Sequence, residues 1–367
     1  METEKKYASV HYAKYLQLDK VMGAQHLRSV ELGKPAHDEM LFIIIHQVYE
    51  LWFKQIVHEL VSVAEMFDTD KVEERNIGIS VSRFDRVIEI QRVMIDQVRV
   101  LETMTPLDFL DFRNFLIPAS GFQSFQFRKM ELLLGLKKQD RLTYNQKPYS
   151  SVFSDSEQKE LEAMENGLSL TDLIEKWLER TPFLELDGFN FLDEYRKAVK
   201  NMHDKEKASI RETSFISEEE RAIRLKMLAG TESYFDEVFD EKKHIEAQES
   251  GSIKMSYKAT IAALLINLYR DEPILRMPYE LLRKLVDVDE TFTTWRYRHA
   301  QMVLRMLGKK TGTGGSSGHD YLKSTTEKHH VFRDLHNIST LLIPRSELPV
   351  LPDKLKRELG FYITSKK

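Results

Sequence analysis

Two histidines occupy positions where an imidazole needs a reason. His46 lies in LFIIIHQVYELWFKQI, residues 41–56, among the most apolar stretches of the chain, and His299 lies in TTWRYRHAQMVLRMLGKK, residues 293–310. Taking a polar ring out of water costs free energy unless something hydrogen-bonds or ligates it. At helical spacing Phe42, His46, Tyr49, Glu50 and Phe53 share one stripe, and Phe292, Trp295, His299, Met302 and Met306 share another. Taken singly, each reads as a core histidine satisfied by a carbonyl or carboxylate. Taken together, two imidazoles on separate aromatic-lined core helices can flank one planar cofactor, one bonded to iron and the other facing the ligand side. The chain has no cysteine. Disulfides, thiolate zinc sites, iron–sulfur clusters and cysteine nucleophiles are therefore excluded, and any metal falls to histidine or carboxylate. HExxH is absent, since DEM follows His37 and ELVS follows His58. Adjacent His329 and His330 cannot both point at one metal from a regular helix, and they read as covering a surface.

A third constellation surrounds Arg113 in LETMTPLDFLDFRNFLIPASGFQSFQFR, residues 101–128. Phe109, Phe112 and Phe115 precede the PASG break, and Phe122, Phe125 and Phe127 follow it. In such company a guanidinium stacks on a ring or donates a two-pronged hydrogen bond to a carboxylate. The alternative is an internal salt bridge to Asp108, Asp111 or a distant acid. Ser120 and Gly121 open the next helix and offer further donors. A fourth stretch, KKTGTGGSSG, residues 309–318, reads from composition as a linker. Its bare backbone and the hydroxyls of Thr311, Thr313, Ser316 and Ser317 suit a small zwitterion equally in kind. It matches neither a Walker loop nor GxGxxG.

The elements that must position these groups are helices. Apolar residues recur at helical spacing almost everywhere, and alternating strand-like stretches are nearly absent, so the fold class is all-α. The pattern predicts helices over Asp38–Phe67, Val81–Glu102, Leu107–Leu116, Gly121–Leu134, Ser169–Arg180, Glu218–Phe239, Tyr257–Tyr269, Glu290–Leu307 and His329–Leu342. Gly308 should stop the helix that bears His299, with Lys309 and Lys310 favourable at its negative end. The His46 helix, apolar nearly all round, should be central. Lys137–Gln158 reads as a surface loop, and His203–Arg221 as the connection of a solvated helical hairpin. The preferred organisation is a single domain over residues 1–367 with a helical insertion at about 140–245.

The 367 residues can bury a substantial core. Lysine and arginine total 54 against 58 acidic residues, which lacks the basic footprint of a nucleic-acid binder and favours a small-molecule or protein partner. Neither a secretory signal nor a run of ~20 apolar residues stands out, so a cytoplasmic protein without a membrane partner is expected. The 14 methionines and 20 phenylalanines fill a core, and also suit a pocket for a large planar ligand.

In order along the chain, HYAKYLQLDKVMGAQ, HDEMLFIIIHQVYELWFKQI, the Arg113 segment, WLERTPFLELDGFNF, TTWRYRHAQMVLRMLG and GTGGSSG together resemble the tryptophan 2,3-dioxygenase family. The resemblance runs from about Tyr12 to Pro344. It implies an all-α helical bundle enclosing a pocket for haem b, ferrous when active. It also implies addition of O2 across the indole C2–C3 bond of L-tryptophan, giving N-formylkynurenine, the first step of tryptophan catabolism through kynurenine. By the same resemblance His299 is the proximal iron ligand, and His46 faces the distal pocket and accepts the indole N–H. Phe42, Phe109 and Leu116 wall the substrate, Arg113 pairs with its carboxylate, and Thr313 contacts its ammonium and carboxylate. Ser120 lies near the haem edge, and Trp295 on the His299 stripe counts with it as cofactor-binding. Tyr12 and Tyr15 match tyrosines that reach a neighbouring subunit's pocket, which implies a homo-oligomer, a tetramer in the family. Arg298, His319-Asp320 and Leu192 depart from the residues common there, beside the haem or its covering loop. Rival readings are an indoleamine-type dioxygenase of broader range and a haem-binding sensor without turnover.

Overall fold

Helical periodicity becomes helix almost throughout the computed structural model, which describes residues 9–142, 148–186, 188–310 and 318–361. Three short helices, α1 (Tyr12–Tyr15), α2 (Leu18–Met22) and α3 (Arg28–Glu31), precede two long ones, α4 (Glu39–Phe67) and α5 (Glu74–Leu101). Then come α6 (Pro106–Arg113), α7 (Phe125–Leu134), α8 (Asp155–Asn166) and α9 (Leu170–Glu179). A small antiparallel ribbon, β1 (Glu185–Leu186) with β2 (Phe189–Asn190), leads into the hairpin of α10 (Phe191–Glu212) and α11 (Glu218–Phe239), followed by α12 (Glu241–Glu249). The chain closes with α13 (Tyr257–Leu268), α14 (Pro273–Leu307), α15 (Gly318–Lys328), α16 (Arg333–Asn337) and α17 (Asp353–Leu359).

Local chemistry sets the boundaries. Thr105 and Asp108 form a capping box ahead of α6, with Pro106 in its first turn, so orphan N–H groups are satisfied where the chain turns. Gly308 ends α14 at φ 59°, a left-handed conformation that glycine adopts without a Cβ penalty. The main core gathers α4, α5, α9, α13 and α14, with every residue from Ala259 to Ile266 of α13 buried. A second cluster joins Ile45 of α4, Val98 of α5, Phe109 and Phe112 of α6, and Met302 and Met306 of α14.

Three expectations change. The helix bearing His299 starts at Pro273 rather than Glu290; Arg276–Glu280 and Arg283–Asp287, each an i,i+4 pair, support the polar turns that periodicity passed over. The predicted helix at His329–Leu342 is broken. What forms is the short α16 followed by a 3-10 turn at Ile338–Leu341, and Asp289 accepts the N–H groups of Val331 at 3.2 Å and Phe332 at 3.4 Å just ahead of α16, donors that a helix start leaves without an intrahelical partner. The connection expected at His203–Arg221 is helical through Glu212. Arg221 donates to the carbonyls of Ile210, Arg211 and Thr213, which closes the C-terminus of α10.

The His46 helix is less enclosed than its composition suggests. Phe53, Ile56, Leu60, Val63 and Phe67 are buried, but Ile44 is 42% and Leu51 55% exposed. By length and composition α4 passes the test for a membrane span; here it packs on α5, α7 and α9.

Candidate functional site

Rings rather than backbones bridge α4 and α14. Tyr49 and Phe53 of α4 meet Trp295 of α14 at centroid distances of 6.0 and 5.9 Å, and Phe127 of α7 joins them 5.6 Å from Trp295. Such aromatic pairs contribute about 0.5–1.5 kcal/mol each beyond their buried area. One helical turn from this stack lie His46 on α4 and His299 on α14. On their other side stand Phe42, Phe109, Phe112, Met302 and Met306. The two imidazoles are therefore neighbours between two apolar clusters. A charge on His46 is close enough to lower the pKa of His299.

Neither ring resembles a satisfied core histidine. His244 shows what that looks like: fully buried, its two ring nitrogens lie 3.1 Å from the carbonyl of Val238 and 2.9 Å from that of Met255. His299, by contrast, meets no hydrogen-bond partner among the described residues. Trp295 stacks on it at 5.3 Å. Burial, then the neighbouring His46, depresses its pKa to about 4, so the imidazole is neutral at physiological pH with a lone pair to offer. His46 sits deep among protein atoms, which lowers its pKa, yet solvent reaches the ring. Its Nδ1 lies 2.6 Å from the carbonyl of Phe42. A carbonyl only accepts, so Nδ1 carries the proton and Nε2 is left as an acceptor.

These features fit a flat, iron-bearing macrocycle. Among the described residues no group of three or more histidines and carboxylates can hold a metal unaided, whereas an iron already held by a macrocycle needs a single imidazole. The aromatic and methionine walls suit its faces.

Helix α6 brings the Arg113 constellation to the same place. Phe109 lies 5.6 Å from Phe42 and is buried, while Arg113 and Leu116 are half-buried at the end of α6 and the turn beyond it. Asp108 is taken by Thr105, whose backbone N–H it accepts at 2.9 Å. Ser120 is half-buried and caps the turn at Gly121, its hydroxyl accepting from Phe122 N–H at 3.4 Å. Phe125 packs on Phe153, and Phe127 joins the Trp295 stack. Thr313 lies outside the described residues. Tyr12 and Tyr15 are 71% and 75% exposed, and nothing in α1 is buried. The sequence reading had Glu50 only on a stripe; it is half-buried, and burial raises its pKa against a hydrogen bond with Ser124.

The sequence reading missed a charged core behind this wall. Glu131 of α7 pairs with Arg128 at 2.7 Å, Arg141 at 2.5 Å and Arg296 at 2.9 Å, all nearly inaccessible. Those guanidiniums hold its carboxyl far below the usual range despite its burial. His329, expected at the surface, is buried beside them; burial and Arg296 push its pKa down to about 3, and its Nε2 accepts from Leu142 N–H at 3.3 Å. His330, also expected there, is half-buried 3.3 Å from Asp289. Hydrophobic periodicity does not announce such groups: Arg128 is one turn from Glu131, but Arg296 and, for His330, Asp289 come from distant sequence. One surface recess, of about 460 Å3, lies away from these residues, along α10 and α11 against Leu342.

Comparison with known proteins gives a consistent result. A family profile described as "Tryptophan 2,3-dioxygenase" matches residues 2–342. A protein of that name from Bdellovibrio bacteriovorus is 51% identical over 97% of this chain and 99% of its own length. Those from Alteromonas mediterranea and Dictyostelium discoideum are 44% and 45% identical, each over 96% of this chain and over 98% and 88% of their own lengths.

Proposed function

Because the chain belongs to the tryptophan 2,3-dioxygenase family, we propose that His46 and His299 bracket a b-type haem at which L-tryptophan is oxidised. The reaction is the family's haem-dependent dioxygenation: both atoms of O2 add across the indole C2–C3 bond, giving N-formylkynurenine, the entry to tryptophan catabolism through kynurenine. The observation that supports the site assignment is the imidazole of His299, stacked on Trp295 and without a hydrogen-bond partner among the described residues, near enough to His46 to feel its charge. The whole chain acts as one domain, with the α10–α11 hairpin peripheral to the chemistry.

When bound, the haem supplies O2 activation. The protein supplies ligation, orientation and dryness. His299 would hold the iron through a ring nitrogen, with Trp295 stacked against that imidazole, and Ser120 would help to hold the cofactor. Phe42 and Phe109 pack on the indole, and Leu116 closes that wall. His46 accepts the indole N–H at Nε2, since Phe42 O already fixes its other nitrogen. Its lowered pKa keeps that acceptor unprotonated. Positioning is its role, because electron-rich indole reacts without first losing its proton. Arg113 clamps the substrate carboxylate with a charge-assisted bond, and Thr313 meets the ammonium end. Holding reactants in attack geometry is worth ~7–11 kcal/mol in the best cases.

Tyr12 and Tyr15, exposed on an arm that buries nothing of its own in α1, complete the pocket of a neighbouring subunit in a homotetramer. The enzyme works in the cytoplasm, and its balanced charge supports no nucleic-acid role. The departures Arg298, His319 and Leu192 bear on fine tuning and substrate range rather than on the residues assigned above; His319 faces Asp320 at 3.3 Å, and Leu192 is half-buried.

The decisive experiment is the absorbance spectrum of the reduced protein before and after L-tryptophan and O2. A Soret band that shifts with tryptophan, followed by ultraviolet absorbance of N-formylkynurenine, is expected. His46→Ala should keep the haem and slow turnover, whereas His299→Ala should lose haem or its five-coordinate ferrous spectrum. An unchanged ferrous spectrum in His299→Ala refutes the ligand assignment.

A further inference from the structure

Arg298, immediately before His299, reaches the carboxylate of Glu102 with its Nη2 at 3.1 and 3.4 Å from the two oxygens. The pair is partly shielded, with side-chain exposures of 35% and 15%. Resting on the assignment of His299 as the iron ligand, we infer that the Glu102–Arg298 ion pair is a positioning and charge-setting device for that imidazole.

Geometry supplies the first half. Glu102 caps α5, its N–H bonding the carbonyl of Val98 at 3.0 Å between buried Leu101 and Met104, so its backbone is a fixed post at the corner leading into α6. Successive helical residues diverge by about 100°. His299 therefore turns toward Trp295 while Arg298 turns along the flank of α14 toward the end of α5. Turning α14 by about 20° would sweep a ring roughly 6 Å from its axis through ~2 Å. The methionine contacts one and two turns further on are non-directional and resist such a turn weakly. A two-oxygen ion pair at the height of the imidazole is directional.

Charge supplies the second half. A guanidinium near iron favours the added electron and a carboxylate opposes it; paired, they nearly cancel. Removing either leaves the other uncompensated, so the two neutral variants should move the iron's midpoint potential in opposite directions. A residue that merely supports the fold would not give opposed signs.

The test uses the haem-loaded enzyme, with spectroelectrochemical titration and the iron–imidazole stretching band of the ferrous form as readouts. Arg298→Gln should lower the potential, Glu102→Gln should raise it, and the double variant should return near wild type. Both single variants should shift the band. Arg298→Lys keeps the charge but not the planar guanidinium that sets the direction of Nη2 and should move the band alone, while the swapped pair Arg298→Glu with Glu102→Arg should restore both readouts, and it decides the matter if a single variant does not fold. Loss of ~1 kcal/mol of positioning corresponds to about fivefold in kcat, with KM for tryptophan little changed. Arg224→Gln, which breaks the exposed pair with Glu220, should change nothing. Shifts of the same sign, or no shift in either single variant while the band persists, overturn the pair's role. A wild-type ferrous protein without that band refutes His299 as ligand instead, and so separates the two failures.

Discussion

At the scale of the residue, the chemistry rests on which atoms are already committed. His46 has one nitrogen tied to Phe42 O and one free to accept; His299 has both free among the described residues; His244 has neither. All three are histidines within helices, and only the distances separate a pocket imidazole from a core one. Arg113 is assigned a single contact, with the substrate carboxylate. Arg113→Leu should therefore remove about 1.5–3 kcal/mol of binding, which is about 10- to 150-fold in the tryptophan requirement, with the haem spectrum unchanged. Steady-state kinetics with tryptophan and with tryptamine, which lacks the carboxylate, check this: the wild type should prefer tryptophan and the variant should lose that preference. Equal discrimination by both proteins would remove Arg113 from the clamp.

At the scale of the element, buried charges decide how the helices meet. Glu131 holds Arg128 of its own helix, Arg141 of the following segment and Arg296 of α14. Glu131→Gln keeps the shape and strands three buried cations, so a loss of about 3–5 kcal/mol is expected, read as a marked fall in melting temperature. Asp289 does comparable work further along α14. It takes two backbone donors and lies 3.3 Å from His330 and 3.6 Å from His336. The pKa of His336 is raised, first by Asp289 and against its burial. A raised pKa means that the stabilisation is complete below the ordinary value of 6.5 and fades as pH rises through the folded value. The melting-temperature difference between wild type and His336→Gln should therefore be larger at about pH 6 than at about pH 8.5; a difference independent of pH would deny His336 that charge. Neither device was legible in advance. Hydrophobic spacing identified α4, α9, α11 and α13 closely, because burying a stripe repeats every three or four residues. It misjudged His329–Leu342, where the helix starts only at Arg333, after residues that Asp289 holds from a distant part of the chain.

At the scale of the whole molecule, α1 carries Tyr12 and Tyr15 into solvent, which in the proposed tetramer is where a neighbour's pocket takes them. Mixing subunits tests this. A Tyr12→Ala/Tyr15→Ala chain can still offer an intact pocket, and a His299→Ala chain can still offer an intact arm. Mixed oligomers should recover turnover that neither homo-oligomer has, and failure of that complementation in a verified mixed tetramer would confine the arm to its own subunit. The sequence by itself determined the all-α class, the two stripes that carry His46 and His299, the Arg113 segment and, by resemblance, the family. Those follow from local periodicity and residue order, which a chain displays before it folds. Only the tertiary structure decided that the two imidazoles are neighbours, that Glu131 gathers three arginines and that Glu102 meets Arg298. Each brings in a group from a distant part of the chain, and the free energy of a charge or a lone pair depends on what stands within a few ångströms of it in space, which no spacing along the chain records.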